Sequence, residues 1–231
     1  MGNQSSTVVE TLNRSDCIKW AASLLGAART WFGVSQLTFA TEVADKAEDF
    51  YLSRYRVRVK EALPSDQLLE VEMMWHIALM SNLQLFNSVS YEDVLNKYDA
   101  EIASYLFLVN PDMRMPVFER TRRYLTNLYN GTNLAKLIVL TRQIVTINMI
   151  GEAAPDKNPD ALYELAECLK QLKPVANWSK KMLDEWNHCK HIVNAWGFQN
   201  LVPVRCKKPY LSWNLDFTKT QNDLKQLFEL D

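Results

Sequence analysis

The chain is poor in the residues that break helices and build tight turns. Of its 231 residues, 6 are glycine and 8 are proline. That scarcity disfavours an all-β protein with many tight turns, and it disfavours glycine-rich phosphate loops. Cysteine is scarce too. Cys17, Cys168, Cys189 and Cys206 have no C-x-x-C spacing, so with no signal peptide they are expected as free thiols in a reducing compartment. On the same ground the four N-x-S/T sequons, at Asn3, Asn13, Asn130 and Asn177, are expected to be silent. Neither sign of charge is in surplus. A net charge of -1 and a pI near 6.3 work against a protein that coats nucleic acid.

Catalytic signatures are missing as well. There is no G-x-S-x-G, Walker A loop, H-E-x-x-H or G-x-G-x-x-G. With 3 histidines, a Cys–His pair exists only if tertiary folding brings one together. Glu70 and Glu72, two apart, point away from each other on a helix and form no dyad. A non-enzymatic role without a cofactor is therefore expected. No run is long enough to cross a bilayer. The most apolar one, Leu134 to Ile150, is 17 residues and contains Lys136 and Arg142. A charge at the centre of a membrane helix costs roughly 2.5–3.5 kcal/mol, so a buried core helix is the better reading.

What is present is the material of a packed helical domain. Hydrophobic residues make up 48% of the chain and there are seven tryptophans, which argues against disorder. Capping residues and prolines divide the chain into about nine helices. Ser15 opens one through Trp31. Ser35 opens another toward Leu63, stopping before Pro64. Ser65 caps a helix to about Phe86, and Ser90 with Asp93 forms a capping box for a helix to Phe107. Val117, after Pro116, begins a helix ending at Asn130-Gly131, and Asn133 caps the apolar helix that ends at Gly151. Pro159 is a first-turn proline for a helix to Leu172, and Lys173-Pro174 starts one that stops at Gly197. Residues 198–216 read as extended, ahead of a C-terminal helix to Leu230. The expected class is all-α: a flexible segment at residues 1–14, then one helical domain at 15–231 with a weak break near 151–158.

Several motifs have both a structural and a functional reading. Trp178, Met182, Trp186, Cys189, Val193 and Trp196 fall on one helical face, as core packing or as a partner groove. His188 and His191 lie three apart, but a paired second ligand cluster is lacking, so no metal is assigned. His76 lies in an apolar helical stretch and reads as a hydrogen-bonded core histidine.

Charge is segregated along the array. Residues 61–109 carry one basic and eight acidic side chains, whereas residues 110–142 carry six basic and two acidic ones. Acidic and basic surfaces of this kind can meet head to tail in a homo-oligomer. Two basic groups are candidates for anionic lipid headgroups or for RNA phosphate. The first is Arg54, Arg56, Arg58 and Lys60, which a helix spreads out and an extended strand aligns. Its structural alternative is a solvated helix face balanced by Asp45, Glu48 and Asp49. The second is Arg114, Arg120, Arg122 and Arg123, for which the acidic 61–109 segment offers internal neutralisation.

The first six residues, Met1-Gly2-Asn3-Gln4-Ser5-Ser6, fit the N-myristoylation signal, with Gly2 as the acceptor after loss of Met1 and a hydroxyl at Ser6. Thr7 is neutral where many such signals carry a basic residue. One myristoyl chain binds membranes with only about 10⁴ M⁻¹, so basic residues or self-association must add to it. A myristoylation signal, a compact helical body and no enzyme motif together are similar to viral matrix proteins and other acylated virion components. That resemblance implies a structural protein at the cytoplasmic face of a membrane, in a host cell or virion, and a cytoplasmic one if Gly2 is unmodified. Two other readings are an RNA-binding nucleoprotein-like module, which needs both basic groups in one groove, and an adaptor using the tryptophan stripe.

Overall fold

The computed structural model describes residues 13–25, 30–31, 34–86, 89–98, 100–152, 159–172 and 179–196. Gly2, Trp178, Cys206, the extended 198–216 segment and the C-terminal helix expected from the sequence lie outside them. Among the described residues there are nine α-helices: α1 (Arg14–Leu24), α2 (Gln36–Tyr55), α3 (Ser65–Leu85), α4 (Tyr91–Lys97), α5 (Ala100–Val109), α6 (Val117–Tyr129), α7 (Asn133–Ile150), α8 (Pro159–Gln171) and α9 (Lys180–Ala195). The domain is all-α, as its composition implies.

The apolar run is the axis of the fold. In α7 every residue from Leu134 to Ile147 except Lys136 is buried, as expected of a helix apolar on nearly all sides. Around it pack α2, α3, α5, α6, α8 and α9. The α2–α3 pair is an antiparallel hairpin: Tyr51 meets Glu70, Asp45 accepts from Trp75 Nε1 at 2.8 Å, and Phe39 stacks edge-on against Phe86 at 5.7 Å. The main hydrophobic core is continuous from Cys17 to Trp196 and includes residues on both sides of 151–158. A smaller cluster of Phe39, Val43 and Val145, with Val34, Phe86 and Met149 against it, sits at the α2 N-terminal end.

The helix ends differ from the sequence reading in instructive ways. Asn13, not Ser15, caps α1, and the helix stops at Leu24, before Gly26. Thr30–Trp31 and Val34–Ser35 then form a two-stranded antiparallel ladder, where the sequence suggested helix through Trp31. Thr132, not Asn133, caps α7, because its hydroxyl reaches the Ala135 amide. At α3 the N-cap position is Pro64, with no side-chain cap, and Ser65 is already helical. Ser35 and the Ser90–Asp93 box cap as expected. The helix opened by that box breaks at Tyr98 and restarts as α5.

The largest departure is at the end of α2. The helix stops at Tyr55 rather than continuing toward Leu63, and Arg56 adopts the left-handed conformation at φ 57°. Arg56 N–H donates to the Ser53 carbonyl and Val57 N–H to the Leu52 carbonyl, both at 3.2 Å. These are the two bonds of a Schellman motif, a position usually given to glycine. Val57 packs against the core, as the apolar residue after such a motif does. β-branched Val57 and Val59 favour leaving the helix, and a short 3₁₀ turn, Lys60–Ala62, leads to α3.

An L-residue in the left-handed region costs about 1–2 kcal/mol, partly offset by glycine's greater entropy loss on folding. Arg56→Gly is therefore expected to raise the urea-unfolding free energy by about 0.5–1 kcal/mol. A loss of stability in that variant would mean that the Arg56 side chain holds the turn together.

Candidate functional site

The eight basic candidates separate by what they touch. In the first group, Lys60 turns inward and pairs with Glu72. Arg14 reaches the same carboxylate, with Nε at 2.9 Å, pairs also with Glu48, and lies over the Trp75 ring at 4.7 Å. Burial works to raise the Glu72 carboxyl, but the Lys60 and Arg14 hydrogen bonds outweigh it and hold its pKa below the ordinary value. Arg54 is half-buried, with its guanidinium 5.3 Å from the Tyr55 ring. Arg56 and Arg58 are exposed, and next to them Val59 is 57% exposed. The alternation after the Schellman turn produces this: Val57 goes in, Arg56 and Arg58 go out.

The carboxylates offered as a balance for this group are engaged elsewhere. Asp45 holds Trp75, Glu48 holds Arg14, and Asp49 takes Lys181 at 2.7 Å. Glu61, Asp66 and Glu70 are exposed near the same end of the hairpin, so the local field is mixed in sign.

In the second group, Arg114 is exposed and forks onto Asp112, with bonds of 2.9 and 2.8 Å. Arg120 is nearly buried and pairs with Glu164 at 2.7 Å, so it fastens α6 to α8. Arg122 and Arg123 are exposed. Among the described residues no acid of segment 61–109 pairs with any of them: the pairs that form are with Asp112 and Glu164. The two groups also lie at opposite ends of the hairpin. One borders the turn after Tyr55, and the other the end where Phe39, Phe86 and Pro111 meet. At 1.5 Å per residue α3 separates them by roughly 30 Å.

The remaining sequence candidates are structural. Met182, Trp186, Cys189, Val193 and Trp196 are buried, and Trp186 donates to the Leu169 carbonyl at 3.1 Å. His188 and His191 are exposed, and no metal-holding group of side chains occurs among the described residues. His76 is fully buried, with Nδ1 3.2 Å from the Tyr98 hydroxyl, which also contacts the Cys17 thiol. Burial pushes the Cys17 thiol up, against the Tyr98 hydrogen bond, so this thiol stays protonated at neutral pH.

Sequence reasoning used Arg142 only as an argument against a membrane helix. It is the most consequential charge in the interior. Arg142 is 4% exposed and makes three hydrogen bonds: to Asn110 Oδ1 at 2.7 Å, the Val109 carbonyl at 2.6 Å and the Tyr124 hydroxyl at 2.5 Å. Tyr124 donates to the same Val109 carbonyl at 2.8 Å, and Asn110 donates to the Ser81 carbonyl and Gln84. Burial raises the Tyr124 phenol, against the pull of Arg142, and keeps it a donor. The visible signal was a lone arginine in the middle of an otherwise apolar run. Beside it a cavity of about 180 Å³ is lined by residues that include Phe39, Phe86, Met113, Tyr124, Arg142, Gln143 and Glu164. A second concavity, between α1 and α2, is open and lined by Glu42, Asp45 and Asp49 against Lys46.

The chain matches no protein-family model, no curated protein and no solved structure, so its function is argued from its own residues.

One turn along α8, Glu167 is buried, and burial raises its carboxyl to about 7, against the pull of Lys170 and a Gln171 hydrogen bond. A folded-state pKa above the unfolded value means that the folded chain binds the proton more tightly. This contribution is therefore complete below about pH 4.5 and is lost as pH rises through about 7. The melting temperature is expected to fall between those limits, by the equivalent of up to about 3 kcal/mol, and the Glu167→Gln variant to show a flatter profile. Parallel profiles for the two proteins would remove Glu167 as the cause.

Proposed function

We propose that the chain is an N-myristoylated, all-α peripheral membrane protein of the matrix type, non-enzymatic, that self-associates on an anionic membrane surface. The observation that carries this reading is the sharing of Glu72 by Arg14 and Lys60. It joins the start of the folded body to the turn that exposes Arg56 and Arg58. The eleven residues from Gly2 to Leu12 extend at most about 40 Å, so a lipid on Gly2 is within reach of a membrane touched by that turn. Val59, exposed between Arg58 and Lys60, adds an apolar contact of the kind that sits at a headgroup boundary.

Arg56 gives independent support. It occupies a left-handed position where glycine is better suited, which points to a use for its charge. Self-association has its own support in two unlike surfaces. On α4 and α5, Leu95 is exposed one turn from exposed Glu92, and Phe107 is exposed on the helix that opens with exposed Glu101. On α6, Tyr129 is exposed seven residues from Arg122, on the same stripe. Apolar centres with rims of opposite charge favour heterologous, head-to-tail contact.

The RNA reading needs both arginine groups in one groove, and their separation along α3 counts against it. The adaptor reading needs the tryptophan stripe at the surface, and its described members are in the core.

The test is flotation of the acylated chain with vesicles of phosphatidylcholine and phosphatidylserine. The wild type is expected to float and Gly2→Ala to stay behind. Reversing two charges with Arg56→Glu and Arg58→Glu is expected to weaken binding by about thirtyfold or more, at roughly 1 kcal/mol per basic residue. Equal flotation of wild type and Gly2→Ala, or no effect of the charge reversals, would overturn the proposal.

A further inference from the structure

We infer that the cavity beside Arg142 is a binding site for a small monoanion with an apolar body, of the class of short-chain or aromatic carboxylates. This inference is independent of the membrane reading. The cavity lies where the two hydrophobic clusters fail to merge: Phe39 and Phe86 belong to the smaller one, Tyr124 and Leu165 to the main core. Its volume of about 180 Å³ leaves room for several waters. The walls give such waters few partners, since Phe39, Phe86, Met113 and Leu165 offer no polar atom apart from backbone and a thioether. An apolar group displaces them favourably.

The polar groups select the ligand's charge. Arg120 and Glu164 cancel each other, so Arg142 is the charge in the wall with no carboxylate partner among the described residues. Its three hydrogen bonds go to uncharged acceptors and use three of five N–H donors. Nε–H and one Nη1–H have no acceptor among the described residues. Beside it Gln143 is 5% exposed, lines the same cavity, and has an amide oxygen that is buried without a hydrogen-bond partner. The unmet guanidinium donors at this wall suit a carboxylate. A single positive charge does not suit a polyanion. Met113, exposed at the rim, marks the entrance.

The experiment is a titration of the full chain, ¹³C-labelled at methionine methyls, with benzoate and in parallel with benzyl alcohol as the uncharged counterpart. Benzoate is expected to shift the Met113 methyl and to bind about tenfold more tightly than the alcohol, the scale of one charge-assisted hydrogen bond. Arg142→Met is expected to abolish that preference. Because Arg142 also joins four helices, Ala161→Leu is the second variant. It fills the cavity from α8 and leaves the Arg142 contacts in place, so it is expected to lose benzoate binding while keeping the wild-type melting temperature. No Met113 shift at millimolar benzoate, equal binding of the alcohol, or retained binding in Ala161→Leu would each overturn the site.

Discussion

The buried guanidinium of Arg142 is the constraint that the surrounding helices answer. Removing such a charge from water costs several kcal/mol, and no carboxylate touches it among the described residues. A helix end does the compensating. Val109 is the last residue of α5, and its carbonyl lies at the pole that carries about half a negative charge. Tyr124 from α6 closes the triangle by donating to that carbonyl and accepting from Arg142, and Asn110 carries the network on to Ser81 and Gln84 of α3. Four helices are thus held by directional bonds. Apolar packing alone tolerates a helix that slides or rotates slightly. A carbonyl that must meet a guanidinium and a phenol together does not, and that fixes the place where the turn at 110–116 leaves the core.

The surface charges follow a different logic. Among the described residues the acidic stretch 61–109 sends one side chain inward to an ion pair, Glu72, and that one draws Arg14 and Lys60 to it. Glu61, Asp66, Glu70, Glu92 and Glu101 stay exposed, while Arg114, just before α6, and Arg120 within it find partners in Asp112 and Glu164. The segregation present along the chain is therefore retained on the surface. A near-zero net charge here reflects separate regions of opposite sign.

Much of the fold was legible because its signals are local. The capping box at Ser90, the proline before α6 and the apolar length of α7 act through neighbouring residues. Errors came where tertiary contacts decided. Val57 and Val59 weaken the helix only slightly, and no glycine marks Tyr55 as its last residue, since the position after it is an arginine and the core contact of Val57 is a long-range fact. The same holds for the site. Exposed Arg56 and Arg58 were among the candidates, but two other candidates, Lys60 and Arg120, are consumed by partners twelve and forty-four residues away in sequence. Arg142 was visible in the sequence and was weighed only as a cost of membrane insertion.

Two consequences of the architecture are physically separate. The Arg56–Val59 turn lies at one end of the α2–α3 hairpin, and the Arg142 cavity lies at the other. Between them runs α3, buried without interruption from Met74 to Leu83. A charge change at the turn is screened by solvent within about 10 Å, and the cavity is farther away than that. Its polarity is set by the α5 terminus and by α7, neither of which contributes to the turn. Substitutions at one end therefore report on that end alone. On the proposed reading, a reduced affinity for vesicles in an Arg58 variant would measure headgroup contact, and altered ligand binding in an α8 variant would measure the cavity. Coupling between the two would require α3 to shift as a unit, against the Trp75–Asp45 bond and the Asn110 contacts that hold it at its middle and its end.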